Sequence, residues 1–376
     1  MSVTGVLPDD TALRLARRAR VLAEMEAAGV DLLVVGREGN ARYVSGAPRL
    51  WTAGSRAFGP GCVLVRATGS VHLLSTWDEG VPDDIPHENL YGISFNAMNF
   101  LKALQGIENA ATTRTIATDA LAPSSAQLLP KAFPSAELID GEPLLRRARC
   151  IKTPEEVDAI RASVGVAEGS LGETLSALAP GVTERQLTGV FMEAMASAGV
   201  TTPATQDVAW ITSREHPWHR SSRDAPVKPD DLVAFEAGVI LGGYVGELGR
   251  TYSIGDVAID RELSRRWNEL WGRLLAACRS GSPLTGLLEA YEGAGIPPPP
   301  MPVARGLGLG FDLPLVTHAL PRTAAEQRFE EGMVLALTAY VWKEGVGAMY
   351  GQEPLVVTAT GPELLSTNPF REVRSL

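Results

Sequence analysis

Two extended apolar runs, Leu232 to Leu241 and Tyr244 to Tyr252, flank the dipeptide Gly242-Gly243. A two-residue hairpin turn that matches the twist of its strands needs positive φ at its centre, which glycine adopts without steric cost. The stretch therefore reads as a long β-hairpin, with one acidic residue in each arm, Glu236 and Glu247. Two further strand candidates follow, Val334 to Trp342 and Leu355 to Thr358, joined by Lys343 to Gln352. Around them lie helical patterns at 157–178, 183–198 and 264–278, the second opened by Thr183 and Gln186 as a capping box. Pro297 to Pro300 excludes helix and central strand alike and must be extended loop. The C-terminal part is thus expected to be an α+β unit with a largely antiparallel sheet.

The N-terminal part differs. From Asp9 to Ala28 the residues Leu13, Ala16, Ala19, Leu22 and Met25 recur at helical spacing, and Gly29 stands where a C-cap belongs. Asp31 to Gly36, Cys62 to Val65, Val71 to Ser75 around a Gly69 turn, and Thr115 to Thr118 are short strand candidates with helical stretches between them. This alternation predicts a smaller α/β domain. Opening of a long helix at Pro154-Glu155-Glu156, after the basic stretch Leu144 to Thr153, sets the boundary, giving domains 1–148 and 149–376.

Charge narrows the partners. With 34 Lys+Arg against 44 Asp+Glu the net charge is -10, which repels a phosphate backbone, so no nucleic-acid partner is expected. No apolar run approaches a membrane span and Met1 to Asp10 does not resemble a signal peptide, so the chain reads as cytoplasmic and without a membrane partner. Cys62, Cys150 and Cys278 are widely separated and suggest neither a disulfide framework nor a thiolate zinc site.

Six short motifs in order resemble the pita-bread family of creatinase, prolidase and aminopeptidase P. They are Asn40 to Gly46 (NARYVSG), Lys152-Thr153-Pro154-Glu155-Glu156, Gly181-Val182-Thr183-Glu184, the hairpin from Glu236 through Gly243-Tyr244 to Glu247 and Arg250-Thr251, Gly332-Met333-Val334, and Val357-Thr358-Ala359-Thr360-Gly361. The resemblance implies a pita-bread C-terminal domain behind a creatinase-like N-terminal domain. It also implies a homodimer, for which Trp51, Phe95 and Phe100 are candidate contact residues.

Peptidases of that family bind two divalent metals through Asp, Asp, His, Glu and Glu. Carried over in order, the two Asp positions fall on Glu236 and on Glu247, eleven residues later. The His position, in His-Gly-x-Gly, is matched by Arg305-Gly306-Leu307-Gly308, and a guanidinium has no lone pair to donate. The first Glu position falls on Thr338. The last falls on Gln352 when counted back from Thr358 without a gap, or on Glu353 with a one-residue shift, and strand alternation lets only one of the two face the site. No metal and no other cofactor is expected. Glu236, Glu247 and Arg305 are expected to form an ion-paired substitute for the metal site.

The same resemblance assigns a proton-transfer role to His219, which precedes Glu236 by 17 residues, as the corresponding histidine precedes the first metal ligand. In creatinase, which lacks metal, that histidine moves the proton while glutamates hold a guanidinium-type substrate. A histidine titrating near neutrality can take and return a proton during hydrolysis. The expected catalytic set is His219, Glu247 and Glu353, with Glu236, Arg305, Thr338 and Gln352 binding substrate. The activity implied is creatinase-like: metal-independent hydrolysis of a C–N bond in a small polar substrate bearing an amidine, guanidino or amino-acid-like group. The alternatives are a His219-dependent elimination, cyclisation or isomerisation, and a non-catalytic binding module derived from a metallopeptidase. His216 reads as structural, and His72, His87 and His318 are isolated. Gly306 to Gly310 (GLGLG) lacks the Lys-Ser/Thr of a phosphate loop and reads as close backbone packing beside the cleft.

Overall fold

The structure, a computed structural model, describes residues 10–47, 61–75, 78–92, 97–205, 208–218, 225–254, 260–319, 326–370 and 374–375. Chain contacts divide it into two units that meet between Arg149 and Cys150. His219, Trp51 and Phe95 lie outside the described residues.

In the first unit α1 (Asp10–Ala27) leads to β1 (Leu32–Val35), α2 (Glu38–Ser45), β2 (Cys62–Val65), β3 (Val71–Leu74) and β4 (Leu90–Tyr91). Then come α3 (Ala97–Gln105), β5 (Thr115–Thr118), the single-turn helices α4 (Pro123–Ala126) and α5 (Leu129–Ala132), β6 (Glu137–Asp140) and α6 (Glu142–Cys150). The strands form a mixed sheet in the order β4-β3-β2-β1-β5-β6, antiparallel at β1/β2 and β2/β3 and parallel elsewhere. Leu32, Val34, Val63, Val65 and Ile116 pack with Leu101, Leu104 and Phe133 in one core. Phe100, expected at a subunit contact, packs against that core.

The apolar stripe read for α1 is rotated in the fold. Leu13, Val21 and Met25 are buried together with Arg14, Arg17 and Arg18, whereas Ala19 is exposed. The arginines enter because their charges find partners: Arg14 and Arg18 both pair with Asp84, Arg18 Nε donates to the Val44 carbonyl, and Arg17 lies over the Tyr43 ring. Burying a cation is tolerated only with such compensation.

The second unit begins with α7 (Pro154–Ser176) and α8 (Glu184–Ser197), each opened by a capping box, Thr153/Glu156 and Thr183/Gln186. Then follow β7 (Ala209–Ile211), β8 (Leu232–Leu241), β9 (Tyr244–Ser253), α9 (Arg261–Ala277) and α10 (Gly286–Gly293). The chain closes with β10 (Ala304–Gly308), β11 (Gly310–Val316), β12 (Val334–Lys343), β13 (Gly347–Thr358), β14 (Gly361–Leu364) and β15 (Arg374–Ser375). The sheet runs β11-β10-β12-β13-β9-β8-β7, with β14 on β13 and β15 on β9. Apart from β15 on β9, its pairings are antiparallel.

The β8/β9 hairpin turns at Gly242 and Gly243, with φ of 58° and 94° as the turn requires. The expected connection from Lys343 to Gln352 is corrected. Strand β12 reaches Lys343, β13 starts at Gly347, and Tyr340↔Tyr350 and Thr338↔Gln352 pair directly. Gly345, Gly347 and Gly351 break the apolar alternation in this stretch, which hides the strand from a pattern reading. Strands β10 and β11 were hidden in the same way by the GLGLG run. A Cβ on Gly306 would lie 2.2 Å from the Leu313 carbonyl oxygen, so the glycines serve close backbone packing within a hairpin.

Helices cover one face of this sheet. Ala339, Val341, Leu335, Leu337 and Met349 pack with Trp267, Leu270 and Leu274 of α9 and with Leu287 and Tyr291 of α10. Helix α7 lies so close to β9 that a Cβ on Gly246 would stand 2.2 Å from the Ser163 carbonyl carbon. The Lys-x-x-x-Glu-Glu motif is accounted for by the same unit: Lys152 makes a buried ion pair with Asp312 at 3.2 Å, and Thr153 and Glu156 cap α7. No helix among the described residues is long and apolar enough to cross a membrane.

Candidate active site

Five of the candidate residues occupy the other face of the sheet, and strand register puts them there. Directly paired residues share a face, and a strand returns to that face every second residue. Gly249, two residues from Glu247, pairs with both Glu236 and Gln352. Gln352 pairs with Thr338, and Ala336, two residues earlier, pairs with Arg305. Glu236, Glu247, Arg305, Thr338 and Gln352 therefore project from one face.

Arg305 joins the two glutamates. Its Nε donates to Glu247 Oε1 at 2.7 Å, and its Nη2 to Glu247 Oε2 at 2.5 Å and to Glu236 Oε1 at 2.7 Å. The Phe311 ring stands over the guanidinium, 4.5 Å from its central carbon to the ring centre, a cation–π arrangement that also shields one face of the cation from water. Glu247 is completely buried while Glu236 and Arg305 retain some exposure. Burial raises the Glu247 pKa, and the Glu236 charge adds to the rise against the opposing pull of Arg305. Burial also works against the charge on Arg305, but the two glutamates overcome it and hold the guanidinium firmly protonated.

Beside this triad is an uncharged pair. Gln352 Nε2 donates to Thr338 Oγ1 at 3.1 Å, and both side chains are buried. The gap-free count selects Gln352, which lies on the face that carries Glu236, Glu247 and Arg305. Glu353, expected in the catalytic set, is corrected. It points to the helix-covered face, where Arg250 Nη1 lies 2.8 Å from its Oε1, Ser366 Oγ donates to Oε2 at 2.6 Å and the Phe370 amide donates to Oε1. One step along a strand inverts the side chain, and Arg250 inverts with it because it neighbours Gly249.

Burial pushes the Glu353 pKa up although Arg250, Ser366 and the Phe370 amide pull it down. The fold then holds the proton more tightly than the unfolded chain does. Its contribution to stability is fullest below the ordinary carboxylate range and is lost as pH rises toward the folded value. The stability advantage of the wild type over Glu353→Gln is expected to shrink between pH 4 and pH 7 in chemical unfolding. An advantage that grows with pH would mean that the Arg250 pair outweighs burial.

Aromatic residues form the rest of this face. Trp210, Tyr340 and Tyr350 cluster with Ala234 and Ala348, and Met301 and Trp342 pack against them. They fix the segment that leads to His219: Tyr340 Oη donates to the Pro217 carbonyl at 2.5 Å, Trp342 Nε1 to the Ser213 carbonyl at 2.8 Å, and the Trp218 ring lies 5.6 Å from Tyr340. Their signal in the sequence was the alternation Thr338, Tyr340, Trp342 on one strand. His216 takes a structural hydrogen bond, its amide donating to Ser213 Oγ. Cys62 and Cys278 are buried thiols, each pushed up to about 12 by burial. Among the described residues, no group of three or more His, Cys, Asp and Glu side chains is disposed to hold a metal ion.

The chain matches metallopeptidase family M24 over residues 158–359 and the creatinase/prolidase N-terminal domain over residues 17–151. It belongs to family M24. Its two-domain plan is that of the pita-bread proteins, with the mixed-sheet unit in front and the largely antiparallel sheet behind it in sequence. Creatinase from Bacillus sp. (strain B-0618) is 23% identical over 390 residues, spanning 94% of this chain and 90% of that protein. A methionine aminopeptidase from Treponema pallidum is 29% identical over 206 residues, 50% of this chain and 77% of that protein. The prolidase from Pyrococcus horikoshii OT3 superposes with a TM-score of 0.75 at 17% identity, over 95% of this chain and 99% of that one. These M24 homologues are hydrolases of the creatinase, prolidase and peptidase kind.

Proposed function

We propose that the protein is a metal-independent hydrolase that cleaves a C–N bond in a small polar substrate, with His219 as the proton-transfer group. The observation that carries this reading is the Arg305 bridge between Glu247 and Glu236. The donor set does not fit the paired divalent ions of the family's peptidases. A guanidinium offers no lone pair and brings a positive charge of its own, while Thr338 and Gln352 are neutral and bonded to each other. Hard divalent ions seek several anionic or carbonyl oxygens, and here the carboxylates are already engaged by a permanent cation.

In the proposed reaction His219 accepts a proton from water as the oxygen attacks the carbon of the scissile bond. It then returns that proton to the departing nitrogen, so the imidazole ends as it began. Arg305 spends Nε and Nη2 on the two glutamates, and its guanidinium would stabilise oxygen on which negative charge develops. Elemental analysis after dialysis against chelator is expected to find less than one equivalent of Mn, Co, Zn or Fe per chain, with turnover unchanged by chelator or by added metal. One tightly held equivalent that activity requires would overturn the proposal.

A further inference from the structure

Gln352 is 2% exposed, and although its Nε2 is bonded to Thr338, its Oε1 has no hydrogen-bond partner among the described residues. A buried carbonyl oxygen left without a donor is uncommon in native proteins and calls for an explanation. This one lies on the face that carries Glu236, Glu247 and Arg305, at a position whose cross-strand neighbour Gly249 has no side chain to offer. A Cβ on Gly249 would stand 2.8 Å from Gln352 Cβ, so the glycine also lets the glutamine occupy its place. Among the described residues, no donor completes the amide.

From this we infer that Gln352 Oε1 accepts an N–H from the bound substrate, and that the substrate group it reads is a neutral amide, a carboxamide or lactam. The inference rests on the site reading given above and deepens it. An amide oxygen is a neutral acceptor, suited to a neutral donor, whereas recognition of a cation favours a carboxylate. The carboxylates on this face are engaged by Arg305, and the Thr338–Gln352 pair carries no charge. An amide N–H also belongs to the kind of C–N bond whose hydrolysis is proposed.

The probes are 2-pyrrolidinone, a lactam with one N–H, and N-methyl-2-pyrrolidinone, in which that N–H is blocked. Saturation-transfer NMR would measure binding of both to the wild type and to Gln352→Met, which keeps the length of the side chain and removes the acceptor. The N-methyl group is expected to weaken binding to the wild type by roughly tenfold or more, and binding to Gln352→Met by much less. An equal penalty in the two proteins, or failure of the lactam to bind the wild type, would overturn the inference. A crystal structure of the wild type with 2-pyrrolidinone needs no variant. It should place the lactam nitrogen about 3 Å from Oε1, and a water on Oε1 with the lactam elsewhere would refute the assignment. Because binding is read without turnover, the two proposals separate. If His219→Ala leaves turnover unchanged while the lactam preference survives, the proton-transfer reading fails and the Gln352 assignment stands. The reverse pattern removes the Gln352 assignment alone.

Discussion

Replacing Arg305 by methionine is expected to cost about 3–5 kcal/mol of folding stability, the range for removing one partner of a buried ion pair. Glu247 loses both of its Arg305 hydrogen bonds and is completely buried, so its charge would have no counter-ion in this triad. The loss should depend on pH in a stated direction. Burial already raises the Glu247 pKa, and removing Arg305 takes away the influence that lowers it. A carboxyl whose folded pKa is raised costs stability as pH climbs from the ordinary carboxylate range through its folded value. Urea unfolding should therefore show a larger deficit at pH 8 than at pH 5, and adding Glu247→Gln to Arg305→Met should recover part of it. Equal deficits at the two pH values would show that lost packing against Phe311, rather than the orphaned charge, is responsible.

The second large effect is kinetic. His219→Ala is expected to lower turnover by roughly a hundredfold to ten-thousandfold, the range for general acid–base catalysis, with an unchanged unfolding midpoint. Screening guanidino and amino acids, cyclic amidines, lactams and dipeptides would supply the reactive substrate. The pH–rate profile should lose the limb that reports a group titrating near neutrality. An unchanged rate in the variant would refute the assigned role and return weight to a non-catalytic binding module.

Much of the site was legible because its residues sit in strands whose sequence carries the register. The Gly242-Gly243 turn sets the β8/β9 pairing, and with it Glu236 and Glu247 fall on one face two residues out of register with each other. Arg305 was placed by the family resemblance, at the histidine of His-Gly-x-Gly, and chemistry supplied its reason: two carboxylates in one cleft need a cation when metal ligands are missing. The aromatic half of the face was legible only as the alternation of Thr338, Tyr340 and Trp342 on one strand. Tyr340 and Tyr350 look like ordinary core residues until neighbouring strands bring them together with Trp210. The same holds for α1, where arginines share the buried face with Leu13 and Met25, because Asp84 lies close by in the fold and far away in the chain.

What the sequence by itself determined is local: the caps of α7 and α8, the tight glycine turn, the acidic and basic residue types at the candidate site, and the order of motifs that marks the family. Each depends on residues a few positions apart or on composition, and needs no knowledge of what packs where. Only the tertiary structure decided between Gln352 and Glu353. Both lie on one strand, both are buried, and the chemistry of either side chain suits an active site. The choice came from pairing Gln352 with Gly249 and Thr338 on neighbouring strands, while Glu353 turned to meet Arg250, Ser366 and the Phe370 amide. A strand presents opposite faces at successive residues, so a shift of one position exchanges the site for the core, and only long-range pairing fixes that position.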